Sequence, residues 1–119
     1  MTSETILTNE KTGGQKGDKP VKLDQLPRHA LEELGRVYAF AEKKYPKHNF
    51  RLGYDWSLSY NALQRHLIAF WGGEDVDPES GVSHMAHAMW HCATLLMFQV
   101  DHEDLDDRYS TVGVNNEAS

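Results

Sequence analysis

The longest apolar region of this chain runs from Val82 to Val100, and three histidines, His84, His87 and His91, interrupt it. A helix over this region is apolar nearly all round, so it belongs at the centre of a fold with other elements packed on it. The histidines make a buried helix a better reading than a membrane span, which needs about 18 or more uninterrupted apolar residues. Ser80 or Ser83 is placed to cap its start, and the pattern continues to about Glu103.

Two further helices fit around it. One is expected from about Pro27 to Tyr45, with Leu31, Leu34, Val37, Tyr38, Ala41 and Tyr45 on one face and Pro46 as its stop. The other is expected from about Trp56 to Trp71, capped by Asp55 and ended by Gly72-Gly73, with a stripe of Trp56, Tyr60, Leu63, Leu67 and Phe70. No alternation of period two is visible, so the expected fold class is all-α: a compact three-helix bundle, with a short N-terminal turn as a fourth element. Residues 1–16 and 106–119 read as disordered polar ends around one helical domain at 17–105.

The 119 residues support a single domain. A formal charge of −6 argues against nucleic acid as the partner, because phosphate backbones are held by clustered Lys and Arg. Cys92 is the only cysteine, which excludes an intrachain disulfide and a Cys-rich zinc finger. The first residues lack the basic and apolar runs of a signal peptide. These features lead to the expectation of a soluble, cytoplasmic protein without a membrane partner.

The chemistry gathers between Arg65 and His91. His84, His87 and His91 lie at i, i+3 and i+7, within about 60° of arc on one helix face. His102 returns to that face about 27 Å further along the axis, too far to share a site with His84. The turn Gly72 to Gly81 brings the end of the second helix, with His66, to the start of the third. His66, His84 and His87 are thereby expected to converge, with Asp77 or Glu79 supplied by the turn. Imidazoles with a carboxylate suit Zn²⁺, Mn²⁺ or Fe²⁺, and a carboxylate-rich subset suits Mg²⁺ or Mn²⁺ with phosphates. The bland reading is that Asp and Ser are helix caps, Glu79 complements the helix dipole and the histidines satisfy core hydrogen bonds. Arg65 and Lys44 are able to meet phosphate, or are simply solvated helix charges.

Named metal motifs are missing. His84-Met85-Ala86-His87 is not a His-Glu-x-x-His sequence, no His-Asp pair occurs, and Gly13-Gly14 does not form a phosphate-binding loop.

The runs Asp18-Lys19-Pro20-Val21-Lys22-Leu23-Asp24-Gln25-Leu26-Pro27, Lys44-Tyr45 with Asn49-Phe50, Arg65-His66-Leu67, Gly73 to Gly81 and His84-Met85-Ala86-His87-Ala88 resemble a small helical family widespread in bacteriophages, the dATP/dGTP diphosphohydrolases (N-terminal domain). The resemblance covers about residues 17–100, and the Glu74 to Gly81 loop with the following His pair is its most specific part. Pro46, Phe50 and His91 depart from the pattern. What it implies is metal-assisted cleavage of a purine deoxynucleoside triphosphate to the monophosphate and pyrophosphate. Lys19, Asp24, Lys44, Asn49, Arg65, His66, Glu74, Asp77, Glu79, His84 and His87 are the matching site candidates. The resulting assignment is a divalent cation (Mg, Mn or Zn) on His66, Asp77, Glu79, His84 and His87, with Glu74 as general base. Lys19, Lys44, Asn49 and Arg65 are assigned to the substrate. The Glu-Glu-x-x-Glu helix of the MazG-type pyrophosphohydrolases is absent, since Glu32-Glu33 is followed by Arg36.

Two other readings differ in class: a non-catalytic protein that binds a nucleotide or a partner, and a structural bundle. In each case a homodimer or higher homo-oligomer is expected, because one small domain leaves much of the third helix uncovered.

Overall fold

The computed structural model describes residues 4–110 and contains three α-helices: α1, Arg28–Lys44; α2, Trp56–Trp71; and α3, His84–Asp101. The expected bounds hold to within a residue or two, and of the two serines offered for the start of α3 it is Ser83 that precedes the first helical residue, His84. Ser83 is its N-cap, and its side-chain oxygen accepts a hydrogen bond from the Met85 amide. Asp55 occupies the N-cap position of α2 but makes no such bond.

The all-α expectation is incomplete. Thr5–Thr8 (β1) pairs antiparallel with Gln15–Asp18 (β2), Thr5 opposite Asp18 and Thr8 opposite Gln15. The connecting loop is held locally: the Asn9 side chain accepts from the Lys11 and Thr12 amides, and Asn9 and Gly14 bond through their backbones. The strands are too short and too exposed to carry a period-two signal, which is why they escape the sequence. Of the polar tail, residues 111–119 lie outside the described residues. Asp107 accepts hydrogen bonds from the Ser57 backbone and hydroxyl, which ties residues 106–108 to the start of α2.

Helix α3 packs against both α1 and α2, the central position expected of it. Val37 of α1 meets Val82, Ala86 and Trp90, and Leu34, Tyr38, Phe50 and Met89 pack around this cluster. The rings of Tyr38, Phe50 and Trp90 meet edge-on or tilted at 5.4–5.9 Å between centroids. At the other end Phe98 is fully buried against Tyr54, and the Trp56 indole donates to the His102 carbonyl.

Helix α2 does not bury the whole stripe read from its sequence. Tyr60 and Leu67 are exposed, while Ser59 is buried and His66 is half-buried. The reason is pairing: Ser59 and His66 are seven residues apart, on the face turned to α3, where each meets a histidine. Helix α3 in turn leaves Leu96 at 65% and Val100 at 79% exposed, on a face that neither neighbour covers. No helix among the described residues is long and apolar enough to cross a membrane.

Candidate metal centre

The turn between α2 and α3 is built to hold its side chains. Gly73 (φ +103°) and Gly81 (φ +73°) adopt backbone conformations that strain other residues. Asp77 and Val82 bond through their backbones, and the His84 amide donates to the Asp75 carbonyl, closing the loop over the start of α3. Within it, Asp77 Oδ1 accepts the Glu79 amide, and this fixes the carboxylate with Oδ2 3.6 Å from His87 Nε2.

Three of the five residues assigned to a cation come together. His66, Asp77 and His87 each offer a ligand atom within 4.8 Å of the other two. Ligands sharing a cation at about 2.0–2.2 Å stand roughly 3–3.5 Å apart, so an inward shift of about 1 Å closes the set. Two imidazoles and a carboxylate fit Zn²⁺, Mn²⁺ or Fe²⁺ by donor type. The His66 and His87 rings lie parallel, 4.5 Å apart, and Phe40 meets the His87 ring edge-on. Burial lowers the pKa of both, with Asp77 opposing the shift, so both rings are neutral near pH 7 with a lone pair to offer.

The other two assigned ligands stand apart from this trio. His84 faces away: its Nδ1 lies 2.8 Å from His66 Nδ1 and its Nε2 lies 2.6 Å from Glu74 Oε1. His84 Nε2 donates to the Glu74 carboxylate, which only accepts. For His66 to offer a cation its Nε2, His66 Nδ1 carries the proton and donates to His84 Nδ1. That leaves the lone pair of His66 on Nε2 and fixes its tautomer, as outer partners of ligand histidines do. Glu79 forms an ion pair with Lys44 at 2.7 Å, which raises the lysine pKa chiefly through that hydrogen bond.

The trio opens into a cleft of 440 Å³ whose walls include Phe40, Lys44, Arg65, Glu79, Trp90 and His91. Lys44 and Arg65, the expected phosphate contacts, thus border the candidate ligands. Glu74 is not among the lining residues and reaches the cleft only through His84. Asn49 lines an adjoining cleft. Lys19 pairs with Glu4 beside the hairpin, at 2.9 Å, and Asp24 sits in the exposed turn Leu23–Gln25, so neither reaches the site.

Two polar contacts went unassigned in the sequence. The Ser80 hydroxyl lies 2.6 Å from His87 Nε2 while accepting from the Val82 amide. His91 Nδ1 lies 3.0 Å from the buried Ser59 hydroxyl, which itself bonds Tyr54. Burial, reinforced by His66 and His87, takes the His91 pKa down to about 4. Ser80 carried a signal as a Ser at a helix start; Ser59 carried none.

No curated protein and no solved structure matches the chain significantly. A family model does: dATP/dGTP diphosphohydrolase, N-terminal, over residues 10–108. This span includes all three helices, the turn between α2 and α3 and every member of the His and carboxylate cluster. The chain belongs to the dATP/dGTP diphosphohydrolase, N-terminal, family.

Proposed function

We propose that this domain binds the triphosphate of a purine deoxynucleotide, dATP or dGTP, and hydrolyses it to the monophosphate and pyrophosphate. The observation that carries the reading is the His66, Asp77 and His87 trio within one cleft that Lys44 and Arg65 also line. The family name supplies the substrate class. A divalent cation held by the three ligands would neutralise phosphate charge and lower the pKa of a bound water.

The protein's own groups have separable tasks. Arg65 gives a forked contact to phosphate oxygens, and Lys44 a point charge. Phosphate that engages Lys44 competes with Glu79 for it. In this reading Glu79, released from the pair, accepts the proton of the attacking water. Glu74 then acts through His84 rather than on water, in place of the base role read from the sequence. In the reaction the water oxygen bonds to the α-phosphorus, the bond from that phosphorus to the bridging oxygen breaks, and pyrophosphate leaves. A second copy is proposed to cover the exposed Cys92, Leu96 and Val100 face of α3.

The test is incubation of the full chain with dATP and dGTP and with Mg²⁺, Mn²⁺ or Zn²⁺ in turn, assaying pyrophosphate. Turnover that stops on chelation supports the reading. Tight nucleotide binding without turnover under any metal would instead make the domain a nucleotide-binding module.

A further inference from the structure

Beside the cation cleft lies a second one, of 360 Å³, and the two share Ala41, Tyr45, Trp90 and His91 as walls. They are therefore adjoining chambers of one groove. Their linings differ in kind. The first has the titratable ligands and cations; the second is walled by Tyr45, Phe50, Tyr54, Leu58 and Trp90. Besides His91, shared with the first chamber, and the hydroxyls of Tyr45 and Tyr54, its polar side chains are the Asn49 amide, the Glu42 carboxylate and His48. Among the described residues neither the Asn49 side chain nor that of Glu42 has a hydrogen-bond or ion-pair partner. Aromatic and aliphatic walls with a few unpaired polar groups are the usual make-up of a site for a flat organic ligand.

We propose that this aromatic chamber is the nucleobase subsite, taking the purine ring of the nucleotide whose phosphates lie in the adjoining cleft. The proposal rests on the nucleotide reading above and adds where the base sits and what reads it. The Asn49 amide carries both a donor and an acceptor, the pair that matches N7 and the N6 amino group of adenine; on guanine, whose N7 and O6 both accept, only the amide donor finds a partner. The Glu42 carboxylate only accepts, and so complements the N1–H and amino group of guanine. Apolar walls accept either purine face. A pyrimidine has no N7 and fills less of the chamber.

The experiment compares three ligands on the full chain in the presence of Mn²⁺: the non-hydrolysable α,β-methylene analogues of dATP and of dGTP, and inorganic triphosphate. Calorimetric titration is run on the wild type, Asn49→Ala and Glu42→Gln. Both side chains are exposed, so folding is retained, and circular dichroism checks it. The expected result is that Asn49→Ala weakens the dATP analogue about tenfold, weakens the dGTP analogue less, and leaves inorganic triphosphate within twofold. Glu42→Gln is expected to weaken the dGTP analogue more than the dATP analogue. Unchanged nucleotide affinity in both variants, with inorganic triphosphate still bound, overturns the subsite and leaves the phosphate reading standing. Equal weakening of nucleotide and inorganic triphosphate also overturns it, because the residues then act on phosphate or on the fold. If the wild type binds none of the three ligands, the nucleotide reading itself fails.

Discussion

His66 Nδ1 and His84 Nδ1 lie 2.8 Å apart, and through this contact Glu74, half-exposed and outside the cleft, governs a candidate ligand inside it. In the tautomer that suits a ligand, Glu74 holds the Nε2 proton of His84, His84 Nδ1 accepts from His66 Nδ1, and His66 keeps its Nε2 lone pair. Breaking the chain at His84 leaves His66 free to take the wrong tautomer or rotate. His84→Ala is expected to lower Mn²⁺ or Zn²⁺ affinity about 10–100-fold, the usual cost of losing an outer partner. Glu74→Gln, whose amide oxygen still accepts from Nε2, is expected to cost less than Glu74→Ala. Metal titration followed by calorimetry checks both, and unchanged affinity in His84→Ala would remove His84 from the site.

The Lys44–Glu79 pair separates binding from stability. Both side chains are about half-exposed, so the pair contributes at most about 1 kcal/mol to folding. Lys44→Met is expected to leave the melting temperature nearly unchanged while raising KM for dATP about tenfold. Glu79→Gln is expected to lower kcat more than it alters KM. Steady-state kinetics beside thermal melts distinguish these outcomes from a merely structural ion pair.

His91 sets a pH dependence of stability. Its folded pKa, about 4, lies below the ordinary value of 6.5, so the folded state prefers the neutral ring. Its contribution is complete above about pH 6.5 and is lost as pH falls towards 4, because only the unfolded chain gains the proton across that window. His66 and His87, also lowered by burial, act with the same sign. After allowance for partial exposure, His91 accounts for about 1–2 kcal/mol of this loss. Urea unfolding of the metal-free protein at pH 7 and pH 4.5 checks it. His91→Asn is expected to shrink the difference between the two.

The two caps foreseen in the sequence differ in strength. The Ser83 side chain bonds the Met85 amide, and Ser83→Ala is expected to cost about 1 kcal/mol. Asp55 makes no side-chain cap bond, so Asp55→Ala is expected to cost only about a few tenths through the helix dipole. Thermal melts of the two variants give the comparison.

The helices were legible because each carries its own punctuation: Pro46, Gly72 and Ser83 mark ends in a sequence otherwise periodic at 3.6. The convergence of His66 and His87 with Asp77 followed from helix geometry and a short turn. What escaped depended on partners remote in sequence. Ser59 looks like a polar gap in the α2 stripe until His91, thirty-two residues on, supplies its hydrogen bond. His84 has the spacing of a ligand, and only its contacts with Glu74 and His66 set it outside the candidate trio. The hairpin escaped because four-residue strands at exposed positions leave no hydrophobic alternation to read.

The central claim is that His66, Asp77 and His87 hold one divalent cation. The most direct measurement is a Mn²⁺ titration of the purified chain at pH 7.5, following free Mn²⁺ by electron paramagnetic resonance, with wild type and Asp77→Asn side by side. The account predicts one equivalent bound by the wild type and affinity at least tenfold weaker in Asp77→Asn. Absence of binding by the wild type, or binding that Asp77→Asn leaves unchanged, would contradict it.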